Sequence, residues 1–472
     1  MQTLTSQRSL TAADLKRNLH DIQDNVVAPI FMRYGRQIFF KFTDGAKARA
    51  WLRQIFEQVN ARPDERGTRF TVNIGFTYEG LKALELSQRS LDSFPEAFQA
   101  GMRGRARLVG DVGPHAPEHW EGGLGSPDIH AMVLVRTDSE QGREEATQII
   151  RAEMAATGGI EIRFMQDTMA LAHENGIGSE GEHFGFVDPI SDPPIEGADT
   201  PSYPGDGVQE PDGTWRPLKP GEFVLGYEDE AGPSGRQGPE PFELRLNGTY
   251  VVFRKLYQDV AAFRRYLATA AKALYGSDDQ YHQDLVAAKM MGRWRSGCPL
   301  DLSPDKDDPA IAADPQRRNN FTYAGDDEGL RCPLGSHLRR VNPRATPLKR
   351  ATTVRRHRLL RRGVEYGPHL PEGALEDDGA DRGIVQLLIQ ADIERQFEFV
   401  QKEWMAGGEF IGLDPNEHDP ITGVGGEGSQ MVVPGAKQPF LFDLPNFTKV
   451  KGGEYLFVPG LDALRGLIDQ KF

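Results

Sequence analysis

Between Cys332 and Arg344 the chain runs Cys332-Pro333-Leu334-Gly335-Ser336-His337-Leu338-Arg339-Arg340-Val341-Asn342-Pro343-Arg344, which sets one histidine among three arginines and an asparagine. A neutral imidazole is a good ligand for haem iron. Guanidinium groups suit the carboxylates at a haem's edge, because their planar fork matches a carboxylate. A histidine in a basic stretch also reads as a surface residue, so the segment gains meaning only from others like it.

Two further segments carry residue types suited to peroxide chemistry. In Phe184-Gly185-Phe186-Val187-Asp188-Pro189-Ile190-Ser191-Asp192 an aspartate sits between apolar residues, where Gly and Pro force a tight path. Burial raises a carboxyl pKa and a nearby cation lowers it. Such an Asp188 can take a proton from a peroxide and return it to the leaving oxygen, although it also reads as a turn cap. In Arg355-Arg356-His357-Arg358-Leu359-Leu360-Arg361-Arg362-Gly363-Val364-Glu365-Tyr366-Gly367 an arginine can stabilise the charge that develops as an O–O bond breaks. The same stretch also reads as a basic strand end with solvated charges.

These segments need a scaffold, and the chain offers two similar ones. In the first part, residues 37–42, 69–76, 129–135 and 160–165 read as strands from their β-branched and aromatic content. Residues 138–156 read as a helix capped by Asp138, with Gln141 as its box partner. Residues 180–247 are irregular, with ordered pieces at 184–197 and 220–227; irregular stretches this long inside a folded chain are usually functional or disordered. A second alternation follows: a strand at 250–256, a helix at 259–275, a strand at 384–389, a helix at 392–404 and a strand at 455–458. Val260, Phe263, Leu267, Ala270 and Leu274 fall close to a helical period. The fold class expected is α+β, with halves at 1–240 and 241–472 and no dinucleotide-type glycine fingerprint.

The chain has 472 residues, 38% hydrophobic and 26% charged, which fits a globular protein. A net charge of −14 argues against nucleic-acid partners. The two cysteines, Cys298 and Cys332, allow one disulfide at most and no CxxC site. No stretch approaches about 18 apolar residues, so no membrane span is expected. The first residues lack a basic segment followed by an apolar run, and lack a twin arginine, so a cytoplasmic location is expected.

Taken together, the segments resemble the dye-decolourising (DyP-type) haem peroxidases, in their longer subgroup. The block 332–344 is similar to the family's proximal signature, 185–189 to its GxxDG motif, and 361–367 to its distal arginine segment. Supporting blocks are Gly75-Phe76-Thr77-Tyr78, Leu108 to Asp111, Pro220-Gly221-Glu222-Phe223, Asn247-Gly248-Thr249-Tyr250, Gly292-Arg293-Trp294 and Gly452 to Pro459. The resemblance implies two ferredoxin-like halves, antiparallel sheets with peripheral helices, with one haem b per chain mainly in the second half. It implies His337 as the iron ligand, Asp188 and Arg361 as the distal catalytic pair, and Asn342, Arg344 and Arg361 bordering the haem. It implies reduction of hydrogen peroxide and one-electron oxidation of dyes, phenols or other small reductants. Trp294, Trp404 and Tyr366 are the oxidisable side chains considered for bulky substrates.

Two residues depart from the family pattern. Pro189 stands where the motif has glycine, and Asp192 where glutamine is common. Proline lacks a backbone donor and fixes φ near −65°, and a second carboxylate would raise the pKa of Asp188 if the two were close. The alternative they keep open is a haem-binding or haem-handling protein with weak turnover. A ligating histidine usually donates its second ring N–H to a carboxylate or carbonyl; Asp392, Glu394 and Asp419 all qualify by type.

Overall fold

The computed structural model describes residues 9–60, 69–171, 181–187, 191–232, 238–348 and 352–472; Asp188, Pro189 and Ile190 therefore lie outside the described residues. Four long strands come from the first part of the chain: β1 (Tyr34–Phe42), β2 (Phe70–Phe76), β3 (Ala131–Thr137) and β4 (Ile160–Met169). Helix α1 (Gly45–Ile55) joins β1 to β2, and α2 (Glu140–Thr157) joins β3 to β4. Across the sheet the order is β4-β1-β3-β2 with every pair antiparallel, which is the ferredoxin-like arrangement.

The second part repeats that order. Its strands are β5 (Thr249–Gln258), the short β6 (Leu360–Arg361) and β7 (Val364–Tyr366), β8 (Gly383–Gln390) and β9 (Thr448–Val458), with α3 (Val260–Tyr275) and α4 (Gln280–Met291) after β5. β9 pairs with β5, β5 with β8, and β8 with both short strands, so β6 and β7 together take the place that β2 holds in the first half. The halves join where Phe457 of β9 pairs with Phe76 of β2, giving one nine-stranded sheet. The sheet curls until its far edges approach. The Lys255 amine lies 5.9 Å from the Phe164 ring on β4 and 4.6 Å from the Tyr366 ring on β7. Phe39, Met132, Leu134, Val251, Phe253, Val385 and Leu387 form the apolar interior between the halves.

Several local expectations change in detail. Asp138 does not cap α2. Ser139 does, because its extended backbone lets Oγ accept the Gly142 N–H at 3.0 Å, while Gln141 turns to Glu145 instead of closing a box. Asp259 caps α3 through the Ala262 N–H, and the helix buries Val260, Phe263, Leu267, Ala270 and Leu274 as its period requires. Residues 392–404, read as an ordinary helix, form π-helical turns at Glu394–Glu398 and Val400–Ala406. The Glu398 N–H reaches back five residues to the Ile393 carbonyl, and the Gln390 side-chain oxygen takes the Phe397 N–H. An apolar face three to five residues apart does not distinguish the two coils in a sequence. Cys298 and Cys332 are buried and free. Among the described residues no helix is long and apolar enough to cross a membrane.

Candidate active site

The outer face of the second half-sheet forms one wall of a cavity of about 270 Å³. Side chains alternate along β5, so Arg254, Leu256 and Gln258 face the cavity while Val251, Phe253 and Lys255 turn the other way. Ile384, Gln386 and Leu388 of β8 and Thr448 and Val450 of β9 complete this wall. Leu338, Val341, the π-helical Phe397, Val400 and Met405, and Phe184 and Phe186 also line the cavity. The two phenylalanines pack on Phe263 of α3, with ring centres 4.6 and 6.5 Å away, which orders part of the stretch that the sequence left irregular.

His337 opens the short helix α5 (His337–Val341) and lines the cavity. Its Nδ1 lies 2.7 Å from Oδ2 of Asp419, whose side chain is fully buried. Of the three carboxylates open to it by type, the partner is Asp419. The geometry is built to aim that carboxylate. Oδ1 accepts the Ile421 and Thr422 N–H groups at 2.9 and 2.8 Å and the Thr422 hydroxyl at 3.2 Å, leaving Oδ2 for the imidazole. Arg340 ties the same loop down, donating to the carbonyls of Gly335, Trp404, Gly407 and Glu417. Burial works against the charge of Asp419, but His337, the Thr422 N–H and Arg340 hold its pKa at about 2. Nε2 is the ring nitrogen this arrangement leaves for a metal.

The arginines near His337 divide by role. Arg339 points away from the cavity, paired with Asp326 at 2.8 Å and stacked over Tyr323. Arg344 does line the cavity, but its Nη1 donates to the carbonyls of Gly205, Asn319 and Phe321, so the residue also braces the surrounding loops. Arg293 and Arg358 line the same cavity and were not singled out in the sequence as facing a ligand. Burial and the nearby Arg344 push each of them down to about 10. Asn342 lines the wall with a buried, unpartnered Oδ1. Arg361, at the end of β6, lines the cavity. Asp188 falls among the residues not described, but its described neighbours Val187 and Ser191 both line the cavity. Gly185 takes φ +90°, and a Cβ there would meet the Arg295 guanidinium at 2.5 Å, so this turn needs glycine. Trp294, Trp404 and Tyr366 are 3%, 0% and 3% exposed, so none of the three reaches the surface.

Apolar walls, a histidine oriented by a buried carboxylate, and buried guanidiniums that repel one another around the carboxylate of Asp206 fit a haem. The class defined by this fold and site is an α+β-barrel haem oxidoreductase. Comparison with known proteins narrows it. The family model described as the DyP dimeric alpha+beta barrel domain matches residues 21–161. A dye-decolorizing peroxidase of Mycena epipterygia is 31% identical over 431 residues, spanning 84% of this chain and 76% of the relative. Peroxidase 2 of Mycetinis scorodonius is 29% identical over 503 residues, spanning 98% and 90%. A solved dye-decolorizing peroxidase in complex with 2,6-dimethoxyphenol superposes with a TM-score of 0.81 at 28% identity, covering 95% of this chain and 99% of that one. The chain belongs to the dye-decolorizing peroxidase family. It is a haem-dependent peroxidase with the expected α+β fold.

Proposed function

We propose that the cavity would hold one haem b per chain, with His337 as the iron ligand and Asp188 and Arg361 as the pair that acts on peroxide. Asn342, Arg344 and Arg361 border the haem as the sequence resemblance implies, and Arg293 and Arg358 join them. The division between the halves falls near residue 240, before β5. The observation that carries this reading is the His337–Asp419 contact in the cavity wall. A bound haem would supply the redox chemistry, taking two oxidising equivalents from hydrogen peroxide and returning to rest by single electrons from a reductant.

The side chains do the rest. The apolar walls exclude water and fix the plane of the ring, and the buried guanidiniums neutralise its carboxylates. Asp188 accepts the proton of the incoming peroxide and delivers it to the leaving oxygen. Arg361 stabilises the negative charge on that oxygen. Dyes and phenols are the reductants that the relatives' names and the dimethoxyphenol complex support.

His337→Ala tests the reading. The wild-type protein is expected to show a Soret band and a pyridine haemochrome spectrum of haem b at one per chain, and the variant to lose most of its haem. Full occupancy with an unchanged spectrum in the variant would remove His337 as the ligand.

A further inference from the structure

Arg340 is a buried cation whose hydrogen bonds among the described residues end on neutral carbonyls. No part of it reaches the surface. Nε donates to Gly335 at 3.0 Å, Nη1 to Trp404 at 3.0 Å and to Gly407, and Nη2 to Glu417 at 2.6 Å. Carbonyl dipoles solvate a guanidinium but do not cancel its charge. Burial pushes its pKa down to about 10, and the carboxylates that act against this are Asp419 and then Glu417. Arg340 is therefore charged at neutral pH, and its charge acts on the same carboxylate that orients His337.

Its placement ties three segments together. Arg340 lies three residues after His337 on α5, Trp404 and Gly407 stand at the end of the π-helical segment, and Glu417 precedes Asp419 by two residues. Glu417 is itself buried, with Oε2 accepting the Val432 N–H at 3.2 Å. Gly335 keeps the space between them: a Cβ there would stand 3.3 Å from Oε2 of Glu417 and 3.8 Å from Nη2 of Arg340. A carboxylate on Nδ1 makes the imidazole a more basic ligand, which favours ferric over ferrous iron. A buried cation acting on that carboxylate works the other way.

We propose that Arg340 is a positioning residue whose buried charge tempers the Asp419 carboxylate and so raises the ferric/ferrous potential of the iron that His337 would ligate. The inference rests on the reading of His337 as the ligand. The sign of the effect separates it from simple bracing. Without the cation, Asp419 pulls harder on the Nδ1 proton and a positive charge is lost near the metal, and both lower the potential. If Arg340 only braced the loop, its loss would loosen the His337–Asp419 contact and raise the potential, as Asp419→Asn should.

The test uses haem-loaded wild-type protein, Arg340→Gln, Arg340→Lys and Asp419→Asn, with His337→Ala as reference. The readouts are the midpoint potential by anaerobic spectroelectrochemical titration and the iron–histidine stretching frequency of the ferrous protein by resonance Raman. Arg340→Gln is expected to shift the equilibrium on the order of tenfold towards ferric iron, the effect of one charge in an effective dielectric of about 20. For a one-electron couple that is ~59 mV downward, and the stretching frequency should rise with it. Asp419→Asn should move both readouts in the opposite direction. Arg340→Lys keeps the charge without the planar fork, so its equilibrium should stay within about twofold of wild type. A potential in Arg340→Gln that rises, or an equilibrium within about twofold of wild type, would overturn the proposal. If Arg340→Gln does not fold, Arg340→Lys decides alone, and a shift beyond about twofold in either direction overturns it. If His337→Ala keeps its haem with an unchanged spectrum, the ligand reading itself fails; if His337→Ala loses its haem and Arg340→Gln does not lower the potential, only the role of Arg340 fails.

Discussion

His337 Nδ1 and Asp419 Oδ2 lie 2.7 Å apart across 82 residues of sequence, and Asp419 has no exposed side-chain surface. A carboxylate placed there fixes the ring's tautomer and orientation and makes Nε2 a stronger donor to a metal. Asp419→Asn keeps the shape and removes the charge. Outer-shell substitutions of this kind typically cost ~10- to 100-fold in metal-site affinity or activity. Haem titration of the apo-variant is expected to show a loss of that size, and an affinity equal to wild type would make the contact incidental.

The distal pair is expected to act on rate and not on loading. Asp188→Asn should slow the reaction with peroxide by ~10²- to 10⁴-fold, and Arg361→Leu by ~10²- to 10³-fold, each with haem retained. Rapid-mixing spectra decide it. A haem-handling protein with weak turnover would instead show slow wild-type kinetics that neither substitution changes.

Much of this was legible in the sequence because it depends on local pattern. The long strands follow from β-branched and aromatic runs, and α3 from its apolar period, so the two similar halves could be read before their shared sheet was seen. That His337 and Arg361 belong to one cavity was legible because each sits in a compact block. The partner of His337 was not, since Asp392, Glu394 and Asp419 are alike in type and only the fold brings Asp419 to Nδ1 of the imidazole. Arg293 and Arg358 stood in quoted blocks but were not read as cavity-facing, for the same reason. One follows α4 and the other lies in a basic run, and nothing in either setting says which guanidinium turns inward. The π-helical turns were invisible because their apolar spacing matches an ordinary helix within a residue.

The two halves are also held by a buried ion pair. Arg254 of β5 meets Asp111 at 2.6 and 3.0 Å, with side chains 3% and 2% exposed. Removing one partner of such a pair leaves a buried charge alone and costs ~3–5 kcal/mol. Asp111→Ala is therefore expected to lower the unfolding free energy by about that much, measured by urea denaturation of the haem-free protein. A loss under about 1 kcal/mol, the range of a surface pair, would show that water reaches Arg254.

Glu454 of β9 gives the pH dependence a definite sign. Burial pushes its carboxyl up to about 8, against the opposing hydrogen bond from the Gly125 N–H. Its folded pKa is above the unfolded one, so between pH 4.5 and about 8 the unfolded chain has released a proton that the folded chain still holds. The stability this group contributes is thus complete below the ordinary carboxylate range and is lost as pH rises towards about 8. Glu454→Gln keeps a neutral, hydrogen-bonding side chain at every pH. Relative to wild type, the variant is expected to gain stability steadily from pH 5 to pH 8 in urea denaturation. A difference that stays flat across that range would mean Glu454 is charged in the folded protein.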